Sequence, residues 1–454
     1  MKKLFGTDGV RGIANRELTP ELAFNLGRAG AYVLTEGKKK PTIVMGKDTR
    51  ISGDMLEAAM ISGMLCVGAN VISVGVVPTP AIAHLTRKYQ ADAGVMISAS
   101  HNPVAFNGIK FFDDQGYKLS DDTEKKIEAI IESSLDEMPR PIGDDLGRLV
   151  REEGAAEEYV EFATSTICGD LRGLKVALDC ANGAASQVAV MALTKLGAEV
   201  YVINDTPDGI NINHQCGSTD MDELKKYVVE KGCDVGLAFD GDADRCLAVD
   251  ERGNSVDGDQ IMLICALDLK EQQKLREDTL VVTVMSNLGL KLAAQKHGLH
   301  LKETGVGDRY VLEEMRNHNY SLGGEQSGHV IFLDHNSTGD GLVTGLCLCS
   351  ILSRKKKRVS ELAQVMDVLP QVLYPVTVPA KLKNIHLQDE RIKETIAKME
   401  ESLHGRGRVF IRPSGTEPVL RIMLEGDNRE EITAMAKELV ELVQSEVESR
   451  SAAK

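Results

Sequence analysis

The sequence predicts an α/β fold: three similar α/β domains with mixed sheets, followed by a smaller α+β C-terminal domain. Three observations carry this. The first is a degenerate repeat. Val67-Gly68-Ala69-Asn70-Val71-Ile72 is echoed by Leu196-Gly197-Ala198-Glu199-Val200-Tyr201, and more weakly by His297-Gly298-Leu299-His300-Leu301. Each copy reads as a helix closed by glycine and followed by a strand. The second is what surrounds the copies. Strand–loop–helix patterns at residues 42–53, 175–186 and 280–288 precede them, and strands running into polar loops at 98–103, 240–245 and 324–329 follow. Ligands bind at such strand ends in α/β sheets. The third is a change of pattern at residues 369–379, which carry Pro370, Pro375 and Pro379. Beyond it come short strands near 409–411 and 419–423. A helix follows whose Ile432, Met435, Ala436, Leu439, Val440, Val443 and Val447 share one face. A chain of 454 residues needs more than one core. The expected boundaries are 1–152, 153–254, 255–369 and 370–454, with charged linkers at 144–158 and 250–259.

Composition excludes several classes. A net charge of -15 is not that of a nucleic-acid-binding surface, and the absence of Trp with 4% aromatics argues against a stacking platform. The basic run Arg354-Lys355-Lys356-Lys357-Arg358 reads as a solvated helix C-terminus. Nine Cys, an odd number without a C-x-x-C pair, point to reduced thiols and a cytoplasmic location. The opening residues lack an apolar signal core, and the apolar run at 341–352 is too short to cross a membrane.

Residues 94–112 concentrate chemistry. The apolar run Gly94-Val95-Met96-Ile97 breaks into Ser98-Ala99-Ser100-His101-Asn102-Pro103, and a second turn is expected at Asn107-Gly108 before Lys110. A hydroxyl, an imidazole and an ammonium in one loop suit anionic chemistry at Ser100, although a plain Ser-rich turn has the same composition. Asp240-Gly241-Asp242-Ala243-Asp244-Arg245 follows the apolar strand at 235–239. Three alternate carboxylates repel one another unless a hard cation or solvent intervenes. An EF-hand is the sharper competitor, since Glu251 falls at its last ligand position, but it requires Gly where Arg245 stands.

Three more loops matter. Arg412-Pro413-Ser414-Gly415-Thr416-Glu417-Pro418, with Arg421, has the composition of a phosphate cradle: guanidiniums, hydroxyls and a glycine that admits backbone amides. Gly323-Gly324-Glu325-Gln326-Ser327-Gly328-His329 offers Glu325, Ser327 and His329 to polyol hydroxyls. Gly305-Val306-Gly307-Asp308-Arg309 adds a charge pair that suits either a ligand or a salt bridge. Arg11 is expected on the Gly-rich loop at 5–12, and Lys47-Asp48-Thr49-Arg50 follows a strand of the same unit. An activated Ser, a cation site, a distal phosphate cradle and a hydroxyl-reading loop together fit phosphoryl transfer on a phosphosugar.

At these residues the chain strongly resembles the α-D-phosphohexomutase superfamily. The phosphoserine loop (98–103), metal loop (240–245), sugar loop (324–329) and phosphate loop (412–418) occur in the superfamily's order. The opening at 5–12, the segment 211–219 and Gln326 resemble the branch acting on glucosamine phosphates. The resemblance implies four domains around a central cleft. It also implies interconversion of glucosamine 6-phosphate and glucosamine 1-phosphate, toward UDP-N-acetylglucosamine and cell-wall precursors. Broader glucose or mannose specificity is the nearer alternative; a metal-dependent sugar phosphatase and a non-catalytic phosphosugar-binding regulator are the remoter ones.

The roles it implies follow. Ser100 carries a phosphoryl group in the resting enzyme, and Mg²⁺ is held by Asp240, Asp242, Asp244 and that phosphate. Arg11, His101 and Lys110 surround it, with Lys110 expected to handle the proton and His101 and His329 as alternatives. Arg245, Asp308, Arg309, Glu325, Ser327 and His329 face the sugar, while Arg412, Ser414, Gly415, Thr416 and Arg421 anchor its phosphate. A hexose or hexosamine 1,6-bisphosphate serves as intermediate and activator, the fourth domain moves as a lid about a hinge near Leu369, and a homodimer forms through the first domain.

Overall fold

The computed structural model describes residues 4–6, 8–35, 38–133, 135–413 and 418–452. It contains two compact units, one of residues 1–286 with 297–365, the other of 287–296 with 366–454.

The first unit holds three mixed sheets. Sheet one has six strands: β1 (Val10–Ile13), β2 (Thr42–Lys47), β3 (Asn70–Val76), β4 (Ala93–Ile97), β5 (Phe106–Phe112) and β6 (Leu149–Arg151), ordered β1-β5-β4-β2-β3-β6. Sheet two has β7 (Lys175–Asp179), β8 (Glu199–Ile203), β9 (Val235–Phe239), β10 (Cys246–Asp250) and β11 (Ser255–Val256), ordered β11-β10-β9-β7-β8. Sheet three has β12 (Thr279–Thr283), β13 (His300–Thr304), β14 (Leu322–Gly324) and β15 (Val330–Phe332), ordered β13-β12-β14-β15.

One four-strand pattern recurs in all three sheets. A central strand (β2, β7, β12) runs parallel to the next strand and to the one after, and that last strand pairs antiparallel with its successor. The repeat is therefore topological as well as sequential. Its glycines behave as read: Gly68, Gly197 and Gly298 adopt φ of 91°, 85° and 64°. Strands β4, β9 and β12 are buried at every position, as continuous apolar runs covered on both faces should be.

The linker at 144–158 contributes β6 to sheet one, and that at 250–259 contributes β11 to sheet two. Two local expectations are corrected. Arg11 lies on strand β1 rather than in a loop, paired with Gly108 of β5. Asn107-Gly108 is no turn but part of β5, so Lys110 is on that strand, opposite Met96. The glycine serves close approach instead: a Cβ at Gly108 would stand 2.5 Å from the Ser98 carbonyl oxygen.

The apolar run near 341 is the helix Gly341–Lys355, buried over most of its length and capped by Asp340, which accepts from Val343 N at 3.0 Å. Its basic end is partly paired: Arg354 donates to Asp268 at 2.7 Å and Lys355 to Glu271 at 2.7 Å. Among the described residues no helix is long and apolar enough to cross a membrane, and all nine Cys are free.

The second unit is a three-stranded antiparallel sheet, β16 (Gln371–Thr377), β17 (Gly407–Pro413) and β18 (Val419–Gly426), with β18 central. The Pro-bearing segment is thus largely an edge strand, where Pro375 forfeits no interior ladder bond. Ile432, Ala436, Leu439, Val443 and Val447 of the helix Arg429–Ala452 join its core, with Met435 and Val440 packed against it.

Candidate active site

The site in the first unit is assembled from the loops that follow β4, β9 and β14. Ser100 sits just past β4, fully buried, in a left-handed conformation (φ 53°). Its hydroxyl donates to Asp240 Oδ2 at 2.6 Å and lies 3.3 Å from His101 Nδ1. Asp240 ends β9, and the turn after it brings Asp242 and Asp244 to the same side. That turn is closed by Ala243 N to Asp240 O (3.0 Å) and Arg245 N to Asp240 Oδ1 (3.1 Å). Thr79 N, at the start of the helix Thr79–Lys88, donates to Asp242 O at 2.9 Å. Gly241 is obligatory here, because a Cβ would stand 2.6 Å from the Ser100 carbonyl oxygen.

The three carboxylates are buried, with one oxygen of each within 4.8 Å of the others. Asp242 Oδ2 accepts from Lys110 Nζ (2.8 Å) and Thr79 Oγ1 (2.5 Å). Asp242 Oδ1 and Asp244 Oδ1 are buried without a hydrogen-bond partner. Orphaned carboxylate oxygens are costly unless a cation takes them, and an all-oxygen donor set suits a hard divalent ion such as Mg²⁺. The residues present fit that group. Burial, with Asp244 and Asp242 beside it, pushes the Asp240 carboxyl well above its ordinary range. Burial also opposes charge on Asp244, but Lys110 and His329 outweigh it and hold that carboxyl well below the usual value.

Around the triad the charges alternate in a closed loop. Lys110 lies 3.0 Å from Asp8 and 3.6 Å from Asp244; His329 lies 3.6 Å from Asp244 and 3.4 Å from Asp308. Lys118 completes the loop, pairing with Asp308 and, at 2.6 Å, with Asp8. Arg11 also pairs with Asp8, and its Nη1 donates to the Ala99 carbonyl at 3.4 Å. Burial works against the Lys110 charge, yet Asp242, Asp8 and Asp244 raise its ammonium far above the ordinary value. His101 moves the other way: burial, with Arg245 and Arg11 nearby, lowers it to about 4, so its ring is neutral at pH 7.

The sugar loop follows β14. Gly328 N donates to Glu325 O at 3.0 Å and Glu325 N to His329 O at 3.0 Å, a tight turn that leaves the buried Ser327 Oγ without a partner. Burial and Asp308 raise the Glu325 carboxyl. Gln326 turns toward the fold and donates to Asp257 Oδ2 at 3.1 Å; Asp257 caps the helix Gly258–Glu271. Arg245 Nε is 3.9 Å from Asp244 Oδ1. Asp308 joins the charge loop, whereas Arg309 pairs with Asp121 on the helix Asp121–Ser133. In the second unit, Arg412 of β17 is directly opposite Arg421 of β18. Two guanidinium side chains on one face of the sheet suit recognition of an anion such as phosphate. Ser414, Gly415 and Thr416 lie outside the described residues.

Family models match in four consecutive blocks. They are phosphoglucomutase/phosphomannomutase alpha/beta/alpha domain I over residues 2–138, domain II over 157–253, domain III over 257–369 and the C-terminal domain over 352–442. The chain belongs to the phosphoglucomutase/phosphomannomutase family. It is 64% identical over 445 residues to the phosphoglucosamine mutase of Clostridium perfringens (strain 13 / Type A), covering 98% of this chain and 99% of that protein. It is 62% identical over 444 residues to the Clostridium acetobutylicum protein of the same name, with coverage of 98% and 99%. A Burkholderia thailandensis phosphoglucomutase/phosphomannomutase family protein shares the fold with a TM-score of 0.81 at 22% identity, covering 98% of each chain. Aspergillus fumigatus N-acetylphosphoglucosamine mutase, in complex with GlcNAc-6P and magnesium, shares it with a TM-score of 0.69 at 18% identity, covering 98% and 96%.

For this phosphoglucomutase/phosphomannomutase family member, sequence reading missed Asp8 and Lys118, which close the charge loop, and left Asp48 and Arg50 without a role. Asp8 lay inside a motif already singled out. Lys118 follows the turn at Gly116 and carried no signal, because its partners Asp8 and Asp308 are 110 and 190 residues away in sequence.

Proposed function

We propose that this protein interconverts glucosamine 6-phosphate and glucosamine 1-phosphate, the activity its 61–64% identical relatives are named for. The observation that carries the reading is Ser100 Oγ, buried at 2.6 Å from the first of three clustered carboxylates, two of which keep a buried oxygen without a hydrogen bond and so suit a hard cation. A phosphoryl group on Ser100 passes to the free hydroxyl of the substrate. The Ser100 Oγ–P bond breaks, the sugar O–P bond forms, and the hydroxyl's proton leaves to a nearby base. The resulting 1,6-bisphosphate turns end for end and returns its other phosphoryl group to Ser100.

Asp240, Asp242 and Asp244 would hold Mg²⁺, which would neutralise charge on the transferring group. Lys110 neutralises charge beside Ser100 and is the residue we assign to handle the proton; His101 is the neutral alternative. Arg11 binds the phosphoryl oxygens. Arg245, Asp308, Glu325, Ser327 and His329 read the sugar, with Arg309 at the edge of that set. Arg412, Ser414, Gly415, Thr416 and Arg421 anchor the second phosphate. A 1,6-bisphosphate primes Ser100, the domains divide near residues 152, 254 and 369, the last of them moves as a lid, and the enzyme works as a cytoplasmic homodimer.

The test is ³¹P NMR with glucosamine 6-phosphate, Mg²⁺ and a trace of bisphosphate, beside glucose and mannose phosphates. A growing glucosamine 1-phosphate signal without free phosphate is expected. Activity confined to glucose or mannose phosphates would keep the chemistry and overturn the specificity. Accumulating inorganic phosphate would mean a phosphatase, and binding without turnover a regulator.

A further inference from the structure

We infer that Arg50, Asp48 and Ser98 form a positioning relay that holds Ser100 in its left-handed conformation with the hydroxyl on the Asp triad. The relay governs the rate of phosphoryl transfer rather than the binding of substrate. The inference rests on Ser100 being the nucleophile proposed above.

The Arg50 side chain has no solvent exposure, and a buried guanidinium is costly unless its five N–H groups are satisfied. All five are spent on one loop and its support. Nε donates to Asp48 Oδ2 (2.9 Å). Nη1 donates to the carbonyls of Pro103 (2.7 Å) and Phe106 (3.1 Å), and Nη2 to those of Ser100 (2.9 Å) and Asn102 (2.7 Å). Four carbonyls of the segment that carries the nucleophile thus converge on a single cation. An apolar side chain in that volume would leave Asp48 and four carbonyls without this donor, so the guanidinium fixes the geometry of the loop.

The relay continues through side chains. Asp48 Oδ2 accepts from Ser98 Oγ at 2.6 Å, and Ser98 Oγ accepts from Ser100 N at 2.9 Å. Asn213 Nδ2 braces the far side, donating to the Ser100 carbonyl at 2.9 Å and to that of Asn102 at 3.3 Å. The amide of Ser100 is thus held by Ser98, two residues before it, and its carbonyl by Arg50 and Asn213 from distant parts of the chain. A left-handed backbone is unfavourable for a non-glycine residue and persists only where its surroundings over-determine it. Released, the residue relaxes toward right-handed φ and swings Oγ off Asp240. Misplacement of a reacting atom by about 1 Å costs on the order of 10²-fold in rate. Arg50 and Asp48 touch neither reacting group, so their part is positioning.

The decisive variants are Ser98→Ala, Ser98→Thr and Arg50→Lys, measured beside wild type for kcat, KM, melting temperature and the rate of phosphoryl incorporation at Ser100 from a hexose 1,6-bisphosphate. Ser98→Ala is expected to melt cooperatively, keep KM within about twofold, and lose at least about tenfold in kcat and in Ser100 phosphorylation. Ser98→Thr, which retains the hydroxyl, is expected to recover most of both. Arg50→Lys is expected to lose more than Ser98→Ala. Should it fail to fold, the Ala and Thr pair decides. A folded Ser98→Ala with wild-type kcat and phosphorylation rate, a loss confined to KM, or a Thr variant no better than Ala would overturn the relay. Failure of the underlying reading looks different: wild-type protein itself would take up no phosphoryl group at Ser100.

Discussion

Asp240 carries opposite demands. It accepts the Ser100 hydroxyl, yet it is buried beside two further carboxylates that push its own carboxyl well above the ordinary range. Asp240→Asn is therefore expected to cut turnover by at least about 10³-fold while raising the melting temperature of the metal-free protein, as happens when a functional site is held against its own repulsion. Turnover assays and calorimetry in chelator check both halves. His101 makes a separate case. With its folded value at about 4, the unfolded state binds more protons between there and the ordinary imidazole value near 6.5. Its contribution to stability is thus present above that window and lost as pH falls through it. The ring is expected to stay neutral at pH 6 by NMR; an imidazolium signal there would remove it as a candidate base.

Among the elements, strands β17 and β18 set Arg412 directly across from Arg421. Losing one charge-assisted contact to phosphate costs about 1.5–3 kcal/mol, so Arg421→Gln is expected to raise KM by roughly ten- to a hundredfold. Steady-state kinetics report the effect. The turn between β9 and β10 makes another prediction. Gly241→Ala would put a Cβ 2.6 Å from the Ser100 carbonyl, and backbone must move to admit it. We expect at least about a tenfold fall in kcat with KM little changed, measured in the same assay.

For the molecule as a whole, the Asp triad links stability to pH and to cation. The raised Asp240 carboxyl binds its proton more tightly in the folded state. This group's own contribution to the stability of the metal-free protein is therefore lost as pH rises from the ordinary carboxylate range toward the raised value, opposite in sign to that of His101. Mg²⁺ at a hundred times its dissociation constant adds about 2.7 kcal/mol by mass action and should offset that loss near neutrality. Melting curves from pH 4 to 8, with chelator and with Mg²⁺, test this; curves unchanged by the ion would argue against a cation site at the triad.

The sequence by itself determined the repeating α/β plan and the main chemical loops. Strand–loop–helix order and the glycine after each helix are local properties, written within some thirty residues. Ser100, the three aspartates and the sugar loop were legible because each sits at the end of an apolar strand. Only the tertiary structure decided what lies between those loops. Lys118 meets Asp8 and Asp308 across 110 and 190 residues of chain, and no local pattern marks such a pairing. Arg11 and Lys110 moved from loops to strands because pairing between β1 and β5 outweighed the turn preference of glycine and asparagine. Arg50 had no role legible in the sequence; burial requires each of its donors to find an acceptor, and most of those acceptors are the carbonyls around Ser100.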